Sequence, residues 1–370
     1  MTLPAFNLFP HLLGEWLKGT GPESDIVVST RVRLARNLKG YPFTLRATPQ
    51  QREELMLAVS EALKAAHLDK SVISLKLNEV PEVYRDVLVE RHLISRELAT
   101  AEGPRAVVFG RGEMLSIMVN EEDHLRLQWI KSGFDVDRAF KALLKVDQAL
   151  EARLPYVTSP KYGYLTACPT NLGTGIRVSV MVHLPALTLK DHVQKVFKAA
   201  EKMNHAIRGL YGEGTRAFGD FYQISNQATL GRSEEEIIES VKAILPKVLE
   251  YERRMRGTLF SDERALVEDK VFRALATLRS ARMLNVQEMM SHLSLLRLGI
   301  DLGIVNEISA QTLNEIFILG QPSHLQREEG REMTPSEVLM LTVRAQEFMF
   351  HCQLTSNIAN RKFGNIAADL

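Results

Sequence analysis

The sequence predicts an α+β protein with a helical region at its C-terminal end. Segments with strand and hairpin patterns are interleaved with helical segments up to about residue 256. From about Gly257 onward only helical patterns occur. This change predicts an N-terminal segment over residues 1–24, a mixed domain over 25–256 and a helical domain over 257–370.

The composition indicates an ordinary globular protein without a bias toward one class of partner. The 370 residues contain 46 Lys and Arg against 45 Asp and Glu, which gives a net charge of +1. This balance does not favour direct nucleic-acid or membrane binding. Cys168 and Cys352 are too far apart in sequence for a metal-ligand spacing, and a lone pair is typical of a reducing compartment. No signal-peptide or membrane-spanning pattern occurs, so we expect a cytoplasmic protein.

Two predicted strands display arginines from one of their faces. Within residues 25–37, the alternation places Ser29, Arg31 and Arg33 on one face. The other face takes Val28, Thr30, Val32 and Leu34. The strand that begins at Ile176 alternates in the same way and displays Arg177. These guanidinium groups form either part of a binding site or the exposed charge of an edge strand.

An acidic stretch follows the apolar run Met114–Val119, which we expect to pair with the preceding strand at 106–109 through a hairpin turn at 110–112. The residues 120–126 read Asn-Glu-Glu-Asp-His-Leu-Arg. We expect Asn120 to begin a helix that continues past Leu125 to Ile130. The carboxylates would then either favour the positive end of the helix dipole or form a catalytic cluster at the rim of the sheet.

Two glycine-bearing loops complete the candidate site. Residues 171–175 could bind an anion through their backbone N–H groups, and residues 208–214 carry Arg208 and Glu213. Either loop can also be an ordinary turn. Five arginines suit a polyphosphate, and the nearby carboxylates need a cation, either Mg²⁺ or a cationic substrate. The common nucleotide-binding motifs are absent from the sequence.

Four motifs in the same order resemble those of the phosphagen (guanidino) kinases. They are Ser29-Thr-Arg-Val-Arg33, Asn120-Glu-Glu-Asp-His-Leu-Arg126, Cys168-Pro-Thr-Asn-Leu-Gly-Thr-Gly-Ile-Arg177 and the stretch from Arg208-Gly to Gly212-Glu213. The resemblance covers about residues 25–250. It implies a catalytic domain built on a curved antiparallel sheet, and phosphoryl transfer from ATP with Mg²⁺ to a guanidinium nitrogen.

In two features the sequence departs from most phosphagen kinases and resembles the bacterial protein arginine kinase branch (McsB type) of this family. Only 28 residues precede Ser29, where other phosphagen kinases have a helical domain, and a helical region is added after the catalytic domain. The resemblance implies protein substrates with accessible arginines, which are marked for Clp-type proteolysis in a stress response. It further implies a zinc-binding activator protein, a Clp ATPase partner and a homodimer.

The resemblance assigns roles to individual residues. Glu122 is implied as the base, with Glu213 as a second carboxylate and Cys168 as a reactive thiol. Glu121 and Asp123 are implied to hold Mg²⁺ through water or to brace their loop. The nucleotide-binding residues implied are Ser29, Thr30, Arg31, Val32, Arg33, His92, Arg126, Arg177, Val178, Ser179, Val180, Met181, Arg208, Gly209, Leu210, Tyr211, Gly212 and Glu213.

Other residues are expected to be structural, and two functional alternatives stay open. Cys352, His124 and His183 fit a packed core. The family's Arg-Asp-x-x-Arg-Ala motif is not found in residues 335–345, so phosphoarginine feedback is not expected from the sequence. The apolar final helix suits a packed or dimerising surface.

The two functional alternatives are a kinase of free arginine or another small guanidino compound, and a catalytically silent adaptor that binds nucleotide or phosphoarginine.

Overall fold

The centre of the molecule is one antiparallel sheet. The computed structural model describes residues 14–68, 72–210, 217–281, 284–331 and 333. Within these residues, eight strands pair in the order β2-β3-β4-β5-β1-β8-β10-β9. They are β1 (Val27–Arg36), β2 (Val72–Lys76), β3 (Ala106–Gly110), β4 (Leu115–Val119), β5 (Leu125–Ser132), β8 (Ile176–His183), β9 (His205–Gly209) and β10 (Phe221–Asn226). The short strands β6 (Thr158–Ser159) and β7 (Gly163–Tyr164) form a separate hairpin.

Helices flank the sheet and make up the described C-terminal part. Those of the first 262 residues are α1 (Pro49–Ala65), α2 (Glu82–Glu90), α3 (Arg96–Thr100), α4 (Val136–Glu151), α5 (Pro185–Leu189), α6 (Val193–Glu201) and α7 (Glu234–Asp262). They are followed by α8 (Arg264–Ser280), α9 (Val286–Asp301), α10 (Ala310–Leu319) and α11 (Pro322–Glu329). The predicted α+β class with a helical C-terminal region is therefore confirmed. The helix expected to start near Thr334 lies outside the described residues.

One face of the sheet forms the main hydrophobic core. Val32, Leu34, Val178 and Val180 are fully buried there and pack with residues of α1, α4 and α7. The alternation predicted for β1 holds from Thr30 onward. It is wrong for Val28, because the pairing of β1 with β8 shifts register between Val27 and Ser29. The extra residue turns Val28 to the other side of the sheet.

The second face is covered at its two ends. α2 and α3 pack over β3 and β4 in one cluster, which includes Leu88, Leu98 and Met118. Trp16 and helices α8 to α10 pack with Val28, Ile130 and Met181 in another. The polar residues of β1, β5 and β8 lie between these clusters. No helix among the described residues combines the length and apolar character needed to cross a bilayer.

β5 replaces the helix that was predicted after Glu122, so that prediction was wrong. Leu125 and Leu127 point into the main core, while Arg126 and Gln128 occupy the other face. β5 pairs with β1 on one side and β4 on the other. Because both neighbours need its backbone hydrogen bonds, long-range pairing overrides the local helix signals.

Helix α7 connects the sheet to the C-terminal helices. Ser233 and Glu236 form a capping box at its start. The helix then runs without interruption across the proposed domain boundary at residues 256 and 257. Near that point, Glu252 accepts hydrogen bonds from Arg256 and from two backbone N–H groups of α5, and Arg256 also binds Asp301 of α9. The division at residue 256 stays a prediction.

Candidate active site

Strand register brings the predicted arginines onto one face of the sheet. Arg33 of β1 stands opposite Arg177 of β8 and opposite Gln128 of β5. Arg126 lies two residues before Gln128 on that same face. Arg31 lies two residues before Arg33, opposite Ser179. Arg208 of β9 joins them through β10, where it pairs with Gln223. We call this surface, with Arg31, Arg33, Arg126, Arg177 and Arg208, the arginine face.

The guanidinium groups of the arginine face repel one another. Burial lowers the pKa of Arg33 well below its usual value, and Arg126, Arg31 and Arg177 lower it further. The pKa of Arg177 is also lowered, first by burial and then by Arg208 and Arg126. Among the described residues, the buried Nε of Arg177 has no hydrogen-bond partner. Such an arrangement is costly without an anion, so it favours a phosphate-binding site.

Neutral side chains orient two of these arginines. Gln223 Oε1 accepts a hydrogen bond of 2.9 Å from Arg31 Nη2, and Ser225 Oγ accepts one of 3.1 Å from Arg177 Nη2. Sequence reasoning missed both residues. Their strand β10 carries no arginine, and only its pairing with β8 shows that Gln223 and Ser225 share the arginine face. An amide or hydroxyl fixes a guanidinium without neutralising it, which leaves the charge for a ligand.

The acidic stretch forms the turn between β4 and β5. Asn120 has a left-handed backbone conformation (φ 61°), and its N–H donates to the carbonyl of His124. The Asn120 side chain donates to the carbonyls of Arg52 and Pro104, at 3.0 and 3.1 Å. Asn120 therefore anchors a turn, and the predicted role as a helix N-cap was wrong. The turn still places its carboxylates beside the arginine face, because Arg126 follows directly on β5.

Two of the three carboxylates in this turn are held by protein groups. Glu121 accepts hydrogen bonds from Arg126 and, at 2.6 Å, from the Ser95 hydroxyl. Although burial raises the pKa of Glu121, the Arg126 guanidinium keeps it below its usual value. Asp123 accepts from the Asn37 amide at 2.6 Å and from the Ala167 N–H at 2.7 Å. Both residues therefore brace the loop.

Of the three carboxylate residues in this turn, Glu122 is the one that is exposed to solvent. Partial burial of its carboxyl group raises the pKa of Glu122, and the neighbouring Asp123 and Glu121 raise it further. A hydrogen bond with Cys168 acts in the opposite direction. Glu122 lines a cavity of about 110 Å³ together with Arg33, Arg126 and Arg177. A proton-accepting group and the arginine face thus meet in one cavity.

Cys168 lies beside Glu122 in the loop before β8. Its Sγ is 3.0 Å from the Thr170 hydroxyl. The loop is fixed from both sides. Asn37 donates to the Leu165 carbonyl, and Arg36 donates to the Thr174 carbonyl at 2.9 Å. A thiol, a hydroxyl and a carboxylate therefore surround one small region.

The other residues implied for nucleotide binding fall into three groups. Ser29, Arg31, His92, Ser179 and Met181 line a small cavity next to Trp16. Burial lowers the pKa of His92 to about 3, so this ring is neutral. By contrast, the side chains of Thr30, Val32, Val178 and Val180 point to the other side of the sheet, which leaves only their backbone for a ligand. Gly209 ends β9 and Leu210 follows it, whereas Tyr211, Gly212 and Glu213 lie outside the described residues.

The carboxylates do not form a protein cage for a metal ion. Within the described ranges, no group of three or more His, Cys, Asp or Glu side chains has the arrangement of a metal site. Glu121 and Asp123 already accept hydrogen bonds from the protein. Mg²⁺ commonly binds to substrate phosphates and keeps several waters, so a site that lacks a protein cage still fits that coordination style.

Comparison with known proteins agrees with this geometry. A family model described as ATP:guanido phosphotransferase, C-terminal catalytic domain, matches residues 54–255. A second, described as protein-arginine kinase McsB C-terminal domain, matches residues 264–357. The protein-arginine kinase of Halothermothrix orenii is 43% identical over 331 residues, which cover 90% of this chain and 95% of that protein. The chain belongs to the protein-arginine kinase family. The protein-arginine kinase of Moorella thermoacetica is 45% identical over 326 residues, or 87% of this chain and 93% of that protein.

Solved structures of other guanidino kinases share the fold of this protein-arginine kinase family member. Lombricine kinase matches with a TM-score of 0.57 and 25% identity, covering 68% of this chain and 74% of that chain. The duplicated taurocyamine kinase from Schistosoma mansoni, with bound transition state analog components, matches with a TM-score of 0.57 and 28% identity. That match covers 66% of this chain and 34% of the duplicated kinase. The family and the enzyme class predicted from the motifs are thereby confirmed.

Proposed function

We propose that this protein transfers the γ-phosphoryl group of ATP to arginine side chains of other proteins. The observation that carries the proposal is the meeting of the arginine face with Glu122 in one cavity. The arginine face suits a triphosphate, and Glu122 suits a cationic guanidinium that must lose a proton. Membership in the protein-arginine kinase family supports a polypeptide as the source of that guanidinium.

The arginines hold and orient the phosphate chain. Guanidinium groups bind phosphate oxygens through paired hydrogen bonds and stabilise the charge on a loose phosphoryl-transfer transition state. Arg33 and Arg177 stand opposite each other on adjacent strands, so both donate from a rigid backbone. Bound Mg²⁺ would neutralise further charge on the phosphate chain, and Glu121 and Asp123 are proposed to approach it through water.

Glu122 acts as the base. A free guanidinium has a pKa above about 12 and is a poor nucleophile, so a carboxylate must orient it and accept its proton as the N–P bond forms. The exposure of Glu122 leaves it open to an arginine that is still part of a chain. Glu213 is proposed as the second carboxylate on the guanidinium. Cys168, which contacts Glu122, is proposed to border the same guanidinium.

Replacement of Glu122 tests this assignment. We expect Glu122→Gln to retain MgATP binding in calorimetry and to lower phosphoryl transfer to casein by about 10²–10⁴-fold. The product is acid-labile phosphate on arginine, which mass spectrometry distinguishes from phosphoserine. Glu250→Gln, at an exposed position of α7, is the matched control. Undiminished transfer by Glu122→Gln would remove Glu122 from the mechanism.

The pH dependence gives a second measurement on the wild type. Glu122 must be ionised to take a proton, and its pKa lies above that of an ordinary glutamate. The rate should therefore fall on the acid side at a higher pH than the usual glutamate value would predict. The same rate measured with free arginine tests the alternative of a small-molecule guanidino kinase, which is the type of enzyme named in the two solved structures.

The cellular context stays a set of predictions. Family membership supports a role in marking proteins for Clp-type proteolysis during stress. A zinc-binding activator protein, a Clp ATPase partner, a homodimer and a cytoplasmic location are proposed on the same basis. Phosphorylation of casein by the purified protein alone would show that no activator is needed for the chemical step.

A further inference from the structure

A second cavity beside the arginine face contains an arginine that none of the family motifs includes. This cavity has a volume of about 310 Å³. It is lined by Arg31, Arg33, Val89, His92, Ile94, Ser95, Arg96, Glu97, Met118, Arg126 and Gln128. Arg96 is the residue of interest, because it comes from α3 and not from the sheet.

The start of α3 is tied to the arginine face. Ser95 caps the helix by accepting the N–H of Leu98, and its hydroxyl donates to Glu121 at 2.6 Å. Glu121 in turn holds Arg126. Because Arg96 directly follows Ser95, its backbone is fixed relative to Arg126 through this chain of contacts.

The side chain of Arg96 is available to a ligand. It is exposed, and within the described parts of the chain it has neither a hydrogen bond nor an ion pair. Glu97 lines the same cavity but makes no ion pair with Arg96 in the described residues. Four guanidinium groups and one carboxylate line the cavity, so its net charge is positive. An anion is the ligand that this set favours.

We propose that Arg96 is a further nucleotide-binding residue, which contacts the phosphate chain of ATP from the α3 side while the arginine face holds it from the sheet. The inference rests on the proposed function, because it takes ATP as the ligand. It adds a group that the four motifs do not contain. It also explains why an unpaired arginine is placed where three other arginines already converge.

The position of Arg96 separates a role in nucleotide binding from a role in acceptor binding. Glu122 lines a different cavity, with Thr170, Asn171 and Arg177, and Arg96 does not line it. His92, implied as a nucleotide contact, lines the same cavity as Arg96. Loss of Arg96 should therefore weaken nucleotide binding and leave the binding of the protein substrate unchanged.

The test compares Arg96→Ala, Arg96→Lys and a control arginine. For Arg96→Ala we expect the Kd of MgATP and of MgADP in calorimetry to rise about three- to tenfold, with the KM for casein unchanged. Arg96→Lys should restore part of the loss, because a lysine keeps the charge but not the planar fork. Arg138→Ala removes an 80% exposed arginine from α4, on the opposite side of the sheet, and should leave both constants unchanged.

Unchanged affinity of Arg96→Ala for both nucleotides would overturn the inference, as would a rise confined to the KM for casein. Circular dichroism of each variant shows whether it is folded, and Arg96→Gln provides a replacement of similar size. If the wild type binds MgATP but does not phosphorylate arginine, the proposed function fails while the Kd values still decide the role of Arg96.

Discussion

Two groups of arginines in this protein differ in the partners that they have. In the arginine face, Gln223 accepts a hydrogen bond from Arg31, Ser225 accepts one from Arg177, and Arg126 binds the carboxylate of Glu121. Among the described residues, five other arginines are almost fully buried, and three of them are bound to a carboxylate. These are Arg36 with Asp147, Arg91 with Glu113, and Arg256 with Glu252 and Asp301.

The difference indicates which charges serve the fold and which serve a ligand. A buried guanidinium with a carboxylate partner is already neutralised, so it joins elements of the structure. Two further buried arginines, Arg105 and Arg297, donate to carbonyl oxygens of the protein. The arginine face differs from both groups because most of its guanidinium groups line cavities, where they can bind an incoming anion. The pKa values of Arg33 and Arg177 are lowered because burial and repulsion by neighbouring arginines both destabilise their charged forms when no anion is bound.

The largest expected effect is on stability, at Arg36. Its Nε and Nη2 donate to Asp147 Oδ2 at 3.1 and 2.8 Å, and both side chains are almost fully buried. Arg36→Met would leave Asp147 buried and uncompensated, so we expect the free energy of unfolding in urea to fall by about 3–5 kcal/mol.

A control and a rescue sharpen the Arg36 prediction. Arg264→Met breaks an exposed pair with Glu268 and should change the free energy of unfolding by less than about 0.5 kcal/mol. Arg36→Met combined with Asp147→Leu should recover most of the stability. If Arg36→Met were as stable as the wild type, the distinction between the two groups would not hold.

Arg33 should respond in the opposite way. Arg33→Leu removes a half-buried charge that its neighbours repel, so the free energy of unfolding should stay constant or rise. The affinity for MgATP should fall by about 10- to 150-fold, because a hydrogen bond to a charged group contributes about 1.5–3 kcal/mol. Calorimetry and urea unfolding of the same preparation measure both quantities. A less stable variant with normal nucleotide affinity would place Arg33 with the structural arginines.

The smallest expected effect is at Ser225, which orients Arg177. Ser225→Ala removes one hydrogen bond from the Arg177 guanidinium to a neutral hydroxyl. Because this contact acts on ATP only through Arg177, we expect the KM for ATP to rise by about two- to fivefold. Ser240→Ala is the control, because its hydroxyl bonds only to its own helix. A KM unchanged by Ser225→Ala would mean that Arg177 keeps its orientation without this contact.

The sequence predicted the parts of the fold that depend on local patterns. Alternation in β1 and β8 placed Arg31, Arg33 and Arg177 on the correct face, because the side-chain period of a strand is two residues. The helices α1 and α4 and the capping box of α7 also follow from local spacing. The ordered motifs further identified the family.

Local patterns failed where pairing between distant segments decides the structure. The Asn120 turn has an acceptable helix start in its sequence, yet the hydrogen-bonding needs of β1 and β4 make the next segment a strand. The wrong prediction for Val28 has a similar cause, because the face of the sheet that Val28 occupies depends on a register shift between β1 and β8. Neither event leaves a signal within the segment itself.

The sequence by itself determined which residue types are available for phosphoryl transfer and which face of each strand they occupy. Only the tertiary structure decided that Glu121 and Asp123 brace the loop while Glu122 stays exposed. It also decided that Gln223 and Ser225 orient two of the arginines, and that Arg96 of α3 lines a cavity beside the arginine face. The physical reason is that side-chain direction along a strand is a local property, whereas hydrogen-bond partners and cavities arise from segments far apart in the chain.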